Sequence, residues 1–275
     1  EFRSLTAYDD SHIQTVDDND GSDVVTNETD WDISGTTFTQ ELQLLSSGDD
    51  NLNWVMGLYY YKEKSRYFFD RFQDAIFDTN GDTLVNSDDL DFEILANSDI
   101  ETVSYAAYGQ LDYALTDQLE LVVGLRYSKD KKERPDDGFL VGVALTPPFI
   151  FPGGGEKNDW SKVTGKLGLN YHLSEDSMAY ISYSRGYKAG GYNNTQSGSY
   201  DPEFLDAYEV GLKSQWLDSH LQLNLAAFYY DYQDKQDLQL TQNAFIQGTT
   251  LPLLTNASTA ITKGIELEVQ AHLLD

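Results

Sequence analysis

Apolar and polar positions alternate with period two along most of this chain. Leu119, Leu121, Val123, Leu125 and Tyr127 share one strand face, with Glu120, Gly124, Arg126 and Ser128 on the other. Val163, Gly165, Leu167, Leu169 and Tyr171 repeat the pattern against Lys162, Thr164, Lys166, Gly168 and Asn170. So do the segments that begin at Val103, Leu221 and Ile261. A helix needs spacing near 3.6, and none of these segments keeps it over two turns. The pattern predicts about ten strands, roughly 2–10, 36–46, 52–67, 100–115, 119–132, 160–173, 177–188, 204–217, 220–240 and 254–274.

The connections alternate in length. Short polar turns fall at 46–51, 116–118, 174–176 and 217–219, and long stretches at about 68–99, 133–159, 189–203 and 241–253. A transmembrane barrel with tight periplasmic turns and long extracellular loops has this asymmetry. A two-layer sandwich, with one dry face and one wet face, fits the alternation equally well. Strand length favours the barrel, since about ten residues cross a bilayer at a tilt. So do the aromatics near the strand ends: Trp54, Tyr59, Tyr60, Tyr61, Tyr67, Tyr113, Tyr127, Trp160, Tyr171, Tyr187, Trp216 and Tyr229.

Composition narrows the function classes. The net charge of −28 repels phosphate and argues against a nucleic-acid partner. The absence of Cys excludes a disulfide scaffold, a cysteine-ligated zinc site and a cysteine nucleophile. Nine acids lie between Asp9 and Asp32 and ten more between Asp70 and Glu101, so both stretches are expected to be exposed loops. They could simply be solvated, or could draw cations to a vestibule. The chain opens at Glu1 with neither a leader nor a Met, and is expected to be part of something longer.

Several segments then look familiar. Thr39 to Leu44 (TQELQL), Trp54 to Tyr60 (WVMGLYY), Leu121 to Tyr127 (LVVGLRY) and Ala179 to Asn193 (AYISYSRGYKAGGYN) resemble the barrel of TonB-dependent outer-membrane receptors of the siderophore type. Ala207 to Lys213, Phe228 to Gln233 and Lys263 to Glu268 extend the likeness in the family's order. The resemblance implies an all-β fold: an antiparallel transmembrane segment of about ten strands cut from a barrel of about 22, spanning 1–275 and lacking the plug. It also implies a nutrient importer of the Gram-negative outer membrane rather than an enzyme. Its partners would be a small ligand such as a metal chelate, outer-membrane lipid, and TonB through the missing N-terminal part.

Residues 78–89, inside the acidic stretch 68–99, follow the twelve-residue calcium loop. Asp78, Asn80 and Asp82 take positions 1, 3 and 5, Leu84 offers its carbonyl at 7, Asn86 stands at 9 and Asp89 at 12. Position 6 is Thr83 in place of Gly, and an acidic turn rich in Asn and Gly is the plainer reading. Calcium is the one cofactor expected. Ligand contact is assigned to Arg185, Tyr187 and Tyr192 in a glycine-rich strand exit, to Tyr200, and to Phe149 in the apolar tip Pro147–Gly155. An ordinary strand end with interfacial Tyr and Lys explains the first three as well. Three rival readings stay open: a passive porin, a complete ten-stranded barrel enzyme with His12 among Asp9, Asp10 and Asp17, and a soluble calcium-binding β domain.

Overall fold

The computed structural model describes residues 1–18, 27–48, 51–73, 92–135, 138–143, 149–152, 155–193, 199–242, 250–257 and 259–272. Those residues hold sixteen strands and no helix. Ten strands build one antiparallel wall: β1 (Phe2–Asp18), β2 (Asn27–Leu45), β3 (Leu52–Gln73), β4 (Phe92–Ala114), β5 (Leu119–Arg134), β8 (Glu156–Ser174), β9 (Ser177–Lys188), β12 (Glu203–Trp216), β13 (Leu221–Gln233) and β16 (Thr259–Ala271). Each pairs with its neighbour along the chain, and β1 and β16 end the order. Six shorter strands decorate the long connections. β6 (Gly138–Val143) pairs with β4 and with β7 (Phe149–Pro152). β10 (Gly191–Tyr192) pairs with β11 (Ser199–Tyr200), and β14 (Gln236–Gln242) with β15 (Thr250–Asn256).

The wall follows the expected ten strands, with corrections at its long-loop end. β1 and β2 carry much of the first acidic stretch, through pairs such as Asp9↔Thr37 and Val16↔Asp30. β3 runs on to Gln73 and β4 starts at Phe92, which shortens the second stretch. The expected strand 220–240 is split at Asp234, a non-Gly residue with φ of 52°, into β13 and β14. The expected strand 254–274 is likewise two, β15 and β16. At the opposite end the turn after β12 places Leu217, Asp218 and Ser219 all at positive φ, and the His220 amide closes it on the Leu217 carbonyl at 3.0 Å.

Nothing in the wall forms a dry middle. Among the described residues the buried hydrophobic side chains are only Ala106, Val122, Tyr192 and Leu253. Leu58, Leu125, Ile181 and Ile265 stand 60%, 62%, 58% and 75% exposed. Cross-strand register gathers such residues on one face, through Leu58↔Ala107, Ala107↔Tyr127, Tyr127↔Val163, Ile181↔Val210 and Ala227↔Ile265. An apolar face this large, bare in water, suits contact with lipid and rules out a sandwich.

Two aromatic belts bound it. Phe38, Tyr60 and Tyr105 lie ring to ring at 6.1 and 5.3 Å, and Tyr183, Tyr208 and Tyr229 at 5.0 and 6.5 Å. Trp54, Tyr113, Tyr171 and Trp216 stand on the same face at the short-turn end. Tyr113 to Tyr105 is eight residues, as is Trp216 to Tyr208. That is about 27 Å along a strand, or about 20 Å in height at a tilt near 40°, close to an outer-membrane apolar band. Tyr59, Tyr61, Tyr67 and Trp160, expected at an interface, sit on the other face by strand parity.

Above the upper belt the same face turns charged. Lys62 reaches Glu101 at 2.8 Å, Arg66 reaches Asp99 at 3.0 Å, Lys129 reaches Asp159 at 3.3 Å and Lys157 reaches Glu133 at 2.8 Å. The hydrogen bond from Lys62, helped by the charges of Lys62 and Lys64, holds the Glu101 carboxyl below its ordinary value of 4.5. A depressed carboxyl contributes stability that is complete above its unfolded pKa and is lost as pH falls through the folded one. Amide protection factors in β3 and β4 around this pair, exchange rates divided by the intrinsic rate at each pH, are therefore expected to stay level from neutral pH down to the ordinary carboxylate range. Below that range they should fall modestly, as befits an exposed pair.

Candidate functional site

The inner, polar face carries aromatic rings laid over glycines. Tyr108 lies across Gly57, donates to Glu41 at 2.5 Å, accepts from Gln43 at 2.9 Å, and lies 5.7 Å below the Arg126 guanidinium. Tyr180 covers Gly211 in the same way and donates to Glu209 at 2.5 Å, with Lys213 above its ring. Glycine opposite an aromatic lets the ring lie flat on the backbone and keeps this face smooth. Asn170 to Glu120 and Asn224 to Glu268 add polar cross-strand bonds at 2.8 and 3.0 Å.

At the long-loop end the inner face becomes a built mouth. β5 and β8 stay paired up to Arg134↔Glu156, and β9 and β12 up to Lys188↔Glu203. β8 and β9, however, pair only as far as Gly165↔Arg185. Beyond that point the two halves of the wall part, and the chain leaving β9 crosses the inner side of β5 and β8. Gly190 packs so tightly on Trp160 and the Tyr200 backbone that no Cβ fits there. Tyr187 settles beside Asp130, and burial first, then the Asp130 charge, pushes its phenol well up.

Arg134 fastens this crossing segment. It is 3% exposed, donates to the Asn193 carbonyl at 2.6 Å and to Glu156 at 3.0 Å, and its guanidinium lies 5.4 Å from the Tyr192 ring. The Tyr192 hydroxyl donates to the Lys132 carbonyl at 3.0 Å. The Asn193 side chain mimics a strand partner for Leu254, giving a bond at 2.9 Å and taking one at 2.8 Å. Gln236 donates to the carbonyls of Ala189 and Asp201 at 2.9 and 3.0 Å, and Asn256 donates to Asp201 and Asp234 at 2.8 Å each. The strap 189–193 is therefore tied to the wall on one side and to the β14–β15 hairpin on the other. Gln236→Ala removes the tie to Ala189 together with the bond to Asp201, and should raise amide exchange at 189–193 about tenfold, with the wall unchanged.

The residues expected to touch ligand are largely engaged within the chain. Arg185 approaches Asp206 at 3.4 Å and lies 5.0 Å from the Phe204 ring. Asp206 is buried and also accepts from Tyr183 at 2.7 Å and Gln233 at 3.1 Å. Tyr192, within the strap itself, is 5% exposed. Tyr200 is half-buried against Gly191. Phe149 opens β7 opposite Val141, and its side chain lies outside the described residues. Asp78, Asn80, Asp82, Leu84, Asn86 and Asp89 also lie outside them. Arg134, Asn193, Gln236 and Asn256, which build the mouth, were not singled out by pattern. Their partners are 22 to 61 residues away, and only Asn193, beside Gly190-Gly191-Tyr192, carries a local signal.

The comparisons agree with this geometry. A family model for the TonB dependent receptor-like β-barrel matches residues 2–274. The pesticin receptor of Yersinia pestis is 32% identical over 170 residues, which is 60% of this chain and 23% of that receptor. The ferric-pyoverdine BN7/BN8 receptor of Pseudomonas putida is 27% identical over 185 residues, 65% of this chain and 20% of that one. The crystal structure of the ferric yersiniabactin uptake receptor FyuA from Yersinia pestis superposes with a TM-score of 0.74 at 23% identity, over 98% of this chain and 37% of that one. This chain thus spans about a quarter of the curated relatives it matches, and it belongs to the TonB-dependent receptor family as a stretch of the β-barrel wall.

Proposed function

We propose that the receptor carrying this wall sits in the outer membrane of a Gram-negative bacterium, captures a ferric siderophore-type chelate at its mouth and imports it with energy delivered through TonB. One observation carries this reading: the wall is apolar on one face and polar on the other, with a chain segment buckled over the polar face at its long-loop end. A passive pore would have no need of that buckle. The relatives named for ferric pyoverdine and for catecholate siderophores supply the ligand class. Uptake of radiolabelled ferric chelates by iron-starved cells tests it. Uptake should vanish when either the receptor gene or the TonB gene is deleted. Uptake that survives without TonB would make the protein a passive pore.

The segment 78–89 extends the proposal. Six oxygen donors at calcium-loop spacing would bind one hard cation and order the connection between β3 and β4. In the full receptor, millimolar calcium should slow protease cleavage within 78–89 at least about fivefold, and Asp78→Ala with Asp82→Ala should remove that protection. Cleavage at an unchanged rate sinks the calcium reading.

A further inference from the structure

The split in the wall falls just short of a row of like charge. The β8–β9 ladder stops at Gly165↔Arg185, while its neighbours run on to Arg134↔Glu156 and Lys188↔Glu203. Three rows past the stop, the same register would set Lys162 of β8 directly opposite Lys188 of β9. Strand parity puts both on the inner face, in line with the pair Lys166↔Ser184. Like charges directly opposite one another oppose strand pairing.

The acids around the split are engaged elsewhere. Glu203, across β12 from Lys188, accepts the Gln236 amide at 2.7 Å. Glu156 takes Arg134 at 3.0 Å, Asp206 takes Arg185 and Tyr183, and Asp130 takes the Ser104 hydroxyl. Across β5 from Lys162 stands Ser128, which is neutral. Among the described residues Lys162 and Lys188 make no ion pair, whereas Lys129 and Lys157 on the outer face each meet an acid. The Lys162 ammonium lies 5.0 Å from the Phe204 ring. Lys132 of β5 is close enough to feel the Lys188 charge. Burial first, and then Lys188, lower its pKa against the pull of Glu63 and Asp130. The Tyr187 hydroxyl, one residue before Lys188, is buried without a hydrogen-bond partner among the described residues, so a donor is spare beside the two lysines.

We propose that the split is an anion site: an oxyanion seated between Lys162 and Lys188 cancels their repulsion and lets the β8–β9 ladder run on toward the mouth. Ionised oxygens accept charge-assisted bonds from both ammonium groups at once, which a water molecule does far more weakly. Such oxygens belong to a free inorganic anion and equally to the catecholate or carboxylate arm of a chelate. A neutral hydroxamate chelate lacks the charge. The site rests on strand register and charge and holds independently of the transport reading. Lysines that were merely solvated would leave the ladder indifferent to the loss of one of them.

The test uses the full receptor in non-ionic detergent, migrating as a folded, heat-modifiable band. Hydrogen exchange is read at 160–164 and 186–188, at constant ionic strength, with inorganic phosphate, with the trianionic ferric complex of catechol, or with the neutral ferric complex of acetohydroxamate. Phosphate or the catechol complex should slow exchange in the wild type by about fivefold, the size of one cross-strand charge effect, and the neutral complex should not. Protection by phosphate identifies a site for free anions, and protection by the catechol complex alone identifies a reader of the chelate's charged arm. Lys162→Gln and Lys188→Gln should each slow exchange with no anion present and then ignore both anions. Lys213→Gln, on the inner face away from the split, should respond as the wild type does. A wild type unmoved by either anion overturns the site, as does equal protection by the neutral complex or unchanged exchange in both glutamine variants. If ferric-chelate uptake remains TonB-dependent in any of these cases, the transport reading stands and only the anion site falls.

Discussion

Arg134→Ala is expected to free the strap 189–193 from the wall. The guanidinium is almost wholly buried, and it joins β5, Glu156 of β8 and the Asn193 carbonyl in one group. Removing the guanidinium leaves the part-exposed Glu156 and the Asn193 carbonyl without their charged donor, which costs about 1.5–3 kcal/mol. The loss is local, since β5 and β8 keep their backbone ladder below Arg134↔Glu156. Hydrogen exchange at 189–193 in the full receptor should accelerate by about ten- to a hundredfold, with little change in β12 and β13. Arg134→Lys should not restore it, because an ammonium cannot reach a carbonyl and a carboxylate in two directions from one planar fork while lying on the Tyr192 ring. Unchanged exchange at 189–193 would remove Arg134 from its role as the anchor.

Gly57→Val is expected to destabilise the wall itself markedly. A Cβ at Gly57 would overlap the Tyr108 ring, and that ring is held from both sides by Glu41 and Gln43. Valine forces the ring away, at about 1–3 kcal/mol for overpacking. It also strips Glu41 of a charge-assisted bond worth about 1.5–3 kcal/mol. Gly109→Ala is the control, because its nearest neighbours would be at ordinary contact, 3.5 Å from the Met56 side chain and the Val55 carbonyl. The folded band of the full receptor should convert to the unfolded form at a clearly lower temperature for Gly57→Val, and near the wild-type temperature for Gly109→Ala. Equal melting of the two would mean that the ring does not lie over the glycine.

The spanning part of the wall was legible because one face must be apolar there. In β5 every odd position from Leu119 to Tyr127 is apolar and the even ones are mostly not, so period two survives. Above the belt both faces are wet and the period disappears. Asp9, Asp10, Ser11 and His12 show no alternation, yet they pair in register with Thr37, Thr36, Gly35 and Ser34. Backbone bonding alone extends those strands, and composition cannot display it. The aromatic count points to belts but cannot assign parity, so position near a strand end places Tyr59 and Trp160 at the interface, whereas both lie on the inner face. The mouth was hidden for another reason. Arg185, Tyr187 and Tyr192 are the residue types that grip ligands, and here Arg185 and Tyr192 grip their own chain, through Asp206 and Lys132, partners that no local motif reveals, while Tyr187 is partly buried near Asp130.

The chain has no Cys, so single cysteines can be placed along one strand of the full receptor without background. Spin labels at 121, 123, 125 and 127 of β5, and at 120, 122, 124 and 126, distinguish the faces when the receptor is reconstituted in bilayers. Labels at the odd positions should be relaxed by oxygen dissolved in the lipid, and labels at the even positions by a polar nickel chelate or by neither where the plug covers them. Odd positions that respond to the polar reagent instead, or that are shielded from lipid-borne oxygen as in a closed two-layer fold, would contradict the lipid-facing wall.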